Sequence, residues 1–292
     1  MGNAVNACRR DGRNLEADVD ACAEELHERG ITAFPVPAEL VRRAVAIFER
    51  AAEDFWHASE LSYVEVEPLR AGASPLSFFI GEKSGSGVGK DPADEGEFRP
   101  NLVYATAADE TTLETLASPA IAFLEPIAEA FFGCKAVTVG AQFTLGREMP
   151  ITRIHRDYWS YKALSFMTPL YRYSAEEASL HYWPQSTDEQ VDYEAQAWSS
   201  SAVDSCEADD SEQCTYEYQL GEGVLFHGNL QHQTKPFYAP KNGWGDRSGR
   251  VHFSIVIVAE DILEESADVF EHIQTVQSGH VIDPATGAFC VQ

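Results

Sequence analysis

A period-two alternation of apolar and polar side chains between residues 137 and 145 constrains the fold more than any other stretch. The apolar positions are Val137, Val139, Ala141, Phe143 and Leu145, and the positions between them are Thr138, Gly140, Gln142 and Thr144. This period is typical of a strand with one buried face. Further strands are predicted at 151–157, 162–170, 178–184, 216–219, 222–227 and 250–258.

The chain before residue 135 has a different, helical pattern. Helices are predicted at 15–29, ended by Gly30, at 38–57, and at 109–132, broken near Pro119 and ended by Gly133, with a short strand at 31–36. Residues 65–100 are rich in Gly, Ser, Pro and charges, and residues 185–215 are acidic and rich in Ser, so both are predicted to be long loops and candidate lids. Short strands after a helical start predict an all-β core, a barrel or sandwich, braced by helices.

Composition excludes some partners. The 292 residues include 47 acidic and 21 basic side chains and carry a net charge of −26, which repels nucleic acid and anionic membranes at long range. The 44% of hydrophobic residues provide ample material for a core. No run of about 18 apolar residues occurs, so no transmembrane helix is predicted.

The cysteines and the amino terminus indicate a cytoplasmic protein. The cysteines are scattered without a C-x-x-C pair, although Cys206 and Cys214 flank an acidic loop and could pair if oxidised. Residues 1–14 are predicted to be a flexible polar tail without a signal peptide. Gly2 could take myristate and Cys8 palmitate, but Asn6 stands where Ser or Thr is preferred. Membrane contact is therefore expected only if the tail is lipidated.

The triplet His155-Arg156-Asp157 and the distant His232 form a candidate metal site. In a strand, His155 and Asp157 would face the same side, and two imidazoles with one carboxylate match the facial triad that holds non-haem Fe(II) and leaves positions open. His227 competes with His232 as the third ligand, but His227 would lie within a strand. An H-x-D triplet alone also arises by chance, so its context decides its meaning.

A second polar cluster begins the strand at 250–258. Arg250, His252 and Ser254 would share one face, and Val251, Phe253, Ile255 and Ile257 the other. An arginine with a hydroxyl on the same face suits the recognition of a carboxylate. Arg247 is a nearby competitor, but it belongs to the preceding loop.

These motifs together resemble the phytanoyl-CoA dioxygenase branch of the Fe(II)/2-oxoglutarate oxygenases over roughly residues 135–258. The resemblance rests on His155-Arg156-Asp157, on the stretch 179–184 that ends in Pro184, on 226–232, and on Arg250 four residues before Ser254. Two departures are a long 232–250 interval and the enlarged 185–215 loop. The resemblance implies a double-stranded β-helix, or jelly roll, braced by N-terminal helices.

The same resemblance implies the domain organisation and the cofactor sites. A single oxygenase domain would span 15–292, with a helical and lid part at 15–134, the jelly-roll core at 135–260 and a C-terminal extension at 261–292. Fe(II) would be bound by His155, Asp157 and His232, and 2-oxoglutarate by Arg250, Thr234, Ser254 and Gln142.

The implied activity is oxidation of a C–H bond of a small molecule by hydroxylation, desaturation or oxidative cyclisation, using O2 and helped in vitro by ascorbate. Alternatives are a non-catalytic metal- or ligand-binding jelly roll and a protein-modifying hydroxylase. Aromatic and imidazole side chains near the ligands are candidate substrate contacts, although each is equally a core residue. They are Tyr158, Trp159, Tyr161, His181, Trp183 and His252.

Overall fold

The computed structural model describes residues 19–60, 75–80, 102–107, 110–146, 154, 156–157, 162–184, 212–237, 249–262, 280–282 and 289–291. Its helices and first strands are α1 (Val19–Arg29), β1 (Ile31–Pro35), α2 (Ala38–Glu60), β2 (Leu76–Ile80), β3 (Leu102–Ala107) and α3 (Glu110–Phe132). The later strands are β4 (Ala136–Gly146), β5 (Ala163–Pro169), β6 (Ser179–Trp183), β7 (Cys214–Glu217), β8 (Glu222–His227), β9 (Gln231–Thr234), β10 (Arg250–Ala259), β11 (His280–Ile282) and β12 (Phe289–Val291).

The core is a double-stranded β-helix, as predicted. One antiparallel sheet has the strand order β1-β8-β5-β10-β4-β3-β2, and a smaller one has the order β7-β6-β9. One face of the large sheet packs against α1, α2 and α3 through side chains such as Leu26, Phe48 and Leu124. Between the two sheets lies a second core that includes Leu180, Tyr182 and Phe226. We call this space between the sheets the barrel interior.

Helix α3 is continuous through Pro119, so the predicted break is wrong. Pro119 and Pro126 both lie inside the helix. A proline removes one backbone hydrogen bond, but Leu116, Leu124 and Ile127 are buried in the core, and this packing outweighs the local preference. By length and composition the segment Thr111–Phe132 could also cross a membrane, yet its apolar residues here cover the large sheet. Gly133 follows with a φ of 69°, which ends the helix as predicted.

Two predicted loop and strand assignments need correction. Strand β2 lies inside the 65–100 segment and pairs with β3 from Leu76↔Ala107 to Ile80↔Val103. A strand of five residues gives too weak a periodic pattern to be recognised among flanking glycines and charged residues. Its pairing at the edge of the sheet makes it a strand. In the predicted strand 151–157, the described positions Ile154, Arg156 and Asp157 belong to no strand. Within 185–215, only residues 212–215 are described, and Cys214 begins β7 as a free thiol.

Strand β10 has the predicted two faces. Val251, Phe253, Ile255 and Ile257 lie in the core beneath the helices, whereas His252 contacts Tyr218 of the barrel interior. The neighbouring β4 changes face part-way. Its pairing with β10 skips Val139, and this bulge places Val139 with Val256 and Val258 while Ala141, Phe143 and Leu145 face the helices.

Candidate metal and co-substrate site

His232 and Asp157 meet in the barrel interior. The Nε2 atom of His232 lies 3.3 Å from Oδ1 of Asp157, and the His232 side chain is 5% exposed. The two residues reach this point from different segments, since His232 is the second residue of β9 and Asp157 lies at a bend before β5. The imidazole packs against Phe226, with ring centroids 4.9 Å apart.

The orientation of the His232 ring suits metal binding through Nε2. Its Nδ1 lies 3.0 Å from the carbonyl oxygen of Leu230 and donates its proton there in the neutral ring. The Nε2 lone pair then points towards Asp157. Burial disfavours the imidazolium, but the Asp157 carboxylate outweighs it, so the pKa of His232 is raised. A proton and a divalent cation are alternative occupants of the space between these atoms.

The second oxygen of Asp157 is held by Ser165 of β5. The Ser165 hydroxyl donates a hydrogen bond of 2.7 Å to Oδ2, which leaves Oδ1 facing His232. A carboxylate fixed in this way can present one oxygen to a cation, and outer hydrogen bonds of this kind orient metal ligands in general.

The residue types and spacing fit a six-coordinate divalent metal. Two ligands at about 2.1 Å in neighbouring coordination positions are about 3 Å apart, close to the 3.3 Å between Nε2 and Oδ1. Within the described ranges no group of three His, Cys, Asp or Glu side chains surrounds one point. The predicted third ligand, His155, lies outside the described residues.

Arg156 and Asn229 connect the two segments that carry these groups. Nη1 of Arg156 donates a hydrogen bond of 2.7 Å to Oδ1 of Asn229, and both side chains are buried. The backbone N–H of Asn229 donates to Nδ1 of His227 at 3.1 Å. The His227 ring packs against Phe131 of α3, with centroids 5.5 Å apart, so it faces the helices. This placement supports His232 over His227 at the candidate metal site.

Arg250 is a buried cation with two unsatisfied nitrogens. The residue is 6% exposed, and among the residues that the structure describes neither Nε nor Nη1 has a hydrogen-bond partner. Its guanidinium carbon lies 4.2 Å from the ring centroid of Phe237. Burial lowers the pKa of Arg250 to about 10. Because a buried charge without a counterion is costly, the surroundings of Arg250 favour an anionic ligand.

The other predicted co-substrate residues share this interior. Ser254 pairs with Gln142 across β10 and β4, and its hydroxyl donates to the Gln142 carbonyl at 3.4 Å. The Gln142 side-chain Oε1 is buried and has no hydrogen-bond partner in the described part of the chain. Thr234 is two residues after His232 on β9 and pairs with Leu180, which places it on the same face.

The predicted substrate contacts separate into three groups. Tyr158, Trp159 and Tyr161 lie outside the described residues. His181 and Trp183 alternate with Leu180 and Tyr182, which belong to the interior core, so they lie on the other face of β6. There His181 Nδ1 lies 2.9 Å from Thr215 Oγ1. His252 lies in the interior.

The sequence did not point to several residues of the site. Ser165 and Asn229 orient the ligand segments, and the rings of Tyr173, Tyr218 and Phe237 surround Arg250 and His252. For Ser165 a signal was available, because this polar residue stands between Ala163-Leu164 and Phe166-Met167 in an otherwise apolar stretch. The three aromatic residues have no spacing that separates them from ordinary core residues.

No protein-family model matches the sequence, and no curated protein matches it significantly. Among solved structures, the non-haem α-ketoglutarate-dependent epimerase SnoN from nogalamycin biosynthesis superimposes with a TM-score of 0.51 at 15% identity, covering 84% of each chain. AviO1 from Streptomyces viridochromogenes Tue57 gives a TM-score of 0.50 at 16% identity over 84% of this chain and 96% of AviO1.

A third structure, EvdO2 from Micromonospora carbonacea var. aurantiaca complexed with 2-oxoglutarate, has a TM-score of 0.50 at 17% identity and covers 82% of this chain and 90% of EvdO2. The shared feature is the fold. The chain therefore adopts the jelly roll of 2-oxoglutarate-dependent enzymes. At these identities the likeness concerns the fold alone, and the phytanoyl-CoA dioxygenase branch stays a prediction.

Proposed function

We propose that this protein is an Fe(II)- and 2-oxoglutarate-dependent oxygenase that oxidises a C–H bond of a small molecule. The observation that carries the proposal is the buried guanidinium of Arg250, whose Nε and Nη1 have no partner among the described residues, in the same interior as the His232–Asp157 pair. A metal-binding pair and an anion-binding cation in one interior match the two ends of a 2-oxo dicarboxylate. SnoN has also been crystallised with Fe3+, α-ketoglutarate and nogalamycin RO, which supports a small-molecule substrate and a place in specialised metabolism.

Each side chain has a defined task in this proposal. His232 and Asp157 would hold Fe(II) together with His155, while Ser165 keeps the Asp157 carboxylate oriented. Arg250 would bind the distal carboxylate of 2-oxoglutarate, with Thr234, Ser254 and Gln142 as further polar contacts. The bound metal and 2-oxoglutarate supply, with O2, the oxidising power for C–H oxidation. The apolar interior around Phe226 excludes water from the reacting groups.

The test is the consumption of 2-oxoglutarate. Purified protein with Fe(II), ascorbate and O2 should release succinate above background, and a metabolite extract should increase the rate. His155→Ala and Asp157→Ala should abolish this release, whereas His181→Ala, on the other face of β6, should retain it. If wild type releases no more succinate than Asp157→Ala with every extract tried, the oxygenase proposal is wrong, and a ligand-binding jelly roll becomes the better account.

A further inference from the structure

His252 is a buried imidazole with an unsatisfied nitrogen. The residue is 1% exposed, and its Nε2 has no hydrogen-bond partner among the residues that the structure describes. It lies two positions after Arg250 on β10, so both side chains point into the barrel interior. A buried polar atom without a partner destabilises the folded state. A phenylalanine would fill similar space without that cost, so the imidazole needs another explanation.

The surroundings of His252 contain aromatic rings and one cation. Its ring centroid lies 4.5 Å from that of Tyr218 and 6.1 Å from that of Tyr173. The hydroxyl of Tyr218 donates to the sulfur of Met167 at 3.6 Å, and the hydroxyl of Tyr173 accepts from the Val251 N–H at 2.7 Å. These hydrogen bonds direct both hydroxyls towards groups other than His252. The charged neighbour is Arg250.

The charge state of His252 follows from this setting. Burial and the nearby Arg250 hold the pKa of His252 well below its usual value, so the ring is neutral at physiological pH. A neutral imidazole has one N–H donor, and Arg250 beside it attracts an anion. A carboxylate has about four acceptor sites, enough for both a guanidinium and an imidazole N–H.

We propose that His252 donates its Nε2–H to the distal carboxylate of 2-oxoglutarate, as a second anchor beside Arg250. This inference rests on the proposed function and changes the role of His252 from a substrate contact to a co-substrate positioning residue. The unsatisfied Nε2 and the unpartnered guanidinium nitrogens then have one common explanation, since the same ligand satisfies both. The ligand class is a 2-oxo acid with a carboxylate at the far end.

The experiment compares two ligands on three proteins. Anaerobic titrations of the Fe(II) protein would follow the binding of 2-oxoglutarate and of 2-oxopentanoate, which lacks the distal carboxylate. His252→Phe should weaken the binding of 2-oxoglutarate by about 10- to 100-fold, which is the range expected for a hydrogen bond to a charged group. It should leave 2-oxopentanoate unchanged. His252→Gln, which keeps an N–H donor, should recover much of the affinity, and His181→Phe is the matched control.

A measurement without variants gives an independent answer. In 15N-histidine-labelled wild type loaded with diamagnetic Zn(II), addition of 2-oxoglutarate should shift the Nε2 resonance of His252, and 2-oxopentanoate should not. Equal affinities of wild type and His252→Phe for 2-oxoglutarate, an unmoved resonance, or equal weakening of both ligands would each overturn the inference. If wild type itself fails to bind 2-oxoglutarate with metal, the proposed function fails instead.

Discussion

The guanidinium of Arg156 donates a hydrogen bond of 2.7 Å to the side-chain oxygen of Asn229. Arg156 precedes Asp157, and Asn229 lies three residues before His232, so this bond joins the two segments that carry the candidate metal ligands. Both side chains are buried, 5% and 0% exposed. A buried charged hydrogen bond of this kind holds the ligands at their spacing before any metal binds.

Breaking the Arg156–Asn229 bond should reveal strong coupling. In a double-mutant cycle with Arg156→Met and Asn229→Ala, we expect a coupling energy of about 1.5–3 kcal/mol in urea unfolding, since the bond involves a charged donor. The matched control is Arg43→Met with Glu39→Ala on α2, an exposed pair also 2.7 Å apart. That cycle should give a much smaller coupling energy, because water screens exposed ion pairs. Equal coupling in the two cycles would contradict the role given to Arg156.

Removal of the Ser165 hydroxyl should weaken metal binding while the fold remains. Ser165→Ala frees Oδ2 of Asp157, and the loss of such an outer hydrogen bond typically costs about 10- to 100-fold in metal affinity. Calorimetric titration with Mn(II) or Fe(II) measures this metal affinity. Thr168→Val is the control on the same strand, because the Thr168 hydroxyl donates to the Glu222 carbonyl at 2.8 Å. Thr168→Val should reduce stability alone; an equal loss of metal affinity there would refute a specific role for Ser165.

Arg250→Met should abolish 2-oxoglutarate binding without destabilising the ligand-free protein. The substitution removes a buried cation with two unsatisfied nitrogens, so the free energy of unfolding should stay constant or rise. For the metal-loaded wild type, 2-oxoglutarate at 100 times its Kd should raise the free energy of unfolding by about 2.7 kcal/mol. Denaturation with and without the ligand tests both statements. A clear loss of stability in the ligand-free variant would mean that Arg250 has a structural role.

His252 should make the protein less stable in acid. Its folded pKa lies well below 6.5, so below about pH 6.5 the unfolded chain takes up a proton that the folded chain refuses. Falling pH therefore favours unfolding, by up to about 1.4 kcal/mol per pH unit from this group. His252→Gln should remove this component from the difference in unfolding free energy between pH 8 and pH 5.5. The variant leaves the neighbours of the ring, Arg250, Tyr173 and Tyr218, unchanged. If the unfolding free energy of His252→Gln depends on pH as steeply as that of wild type, His252 is not a buried neutral group.

Gly223 of β8 should tolerate no side chain. An added Cβ would lie 2.3 Å from Cε2 of Phe166 and 2.7 Å from Cγ1 of Val36, both in the core beneath the helices. Gly223→Ala should therefore cost about 1–3 kcal/mol through overpacking. Phe166→Leu in the same chain should recover part of that loss. Gly133→Ala, where the space is open but φ is +69°, should cost about 1 kcal/mol whether or not Phe166 is changed.

Periodicity predicted most strands because their faces differ sharply in polarity. The strands β4, β5, β8 and β10 match predicted segments to within a residue or two. Strand β9, with the sequence Gln-His-Gln-Thr, has no apolar residue and therefore gave no signal. Its place is determined by pairing with β6, from Leu180↔Thr234 to Trp183↔Gln231.

Motif spacing and the family resemblance predicted one site for His232, Asp157 and Arg250, and the fold brings these three side chains into the barrel interior. Periodicity alone cannot predict such long-range proximity. The sequence did not predict the residues that surround these groups, such as Asn229 and Tyr218. Asn229 lies in a turn, where asparagine is common for local reasons, and Tyr218 follows a strand as core aromatics often do. Their roles depend on partners far away in sequence, such as Arg156 and His252, and only the folded chain brings these partners into contact.

The pairing of β1 with β8 has a consequence for synthesis. Ile31 pairs with Phe226, so the first strand of the barrel finds its partner only after most of the chain has been made. Until then β1, which carries the buried Phe34, lacks its neighbouring strand, and exposed apolar surface makes nascent chains prone to aggregation. The amino-terminal part therefore cannot complete its fold until β8 has been synthesised. The high negative charge of the chain would reduce association between nascent chains in the meantime.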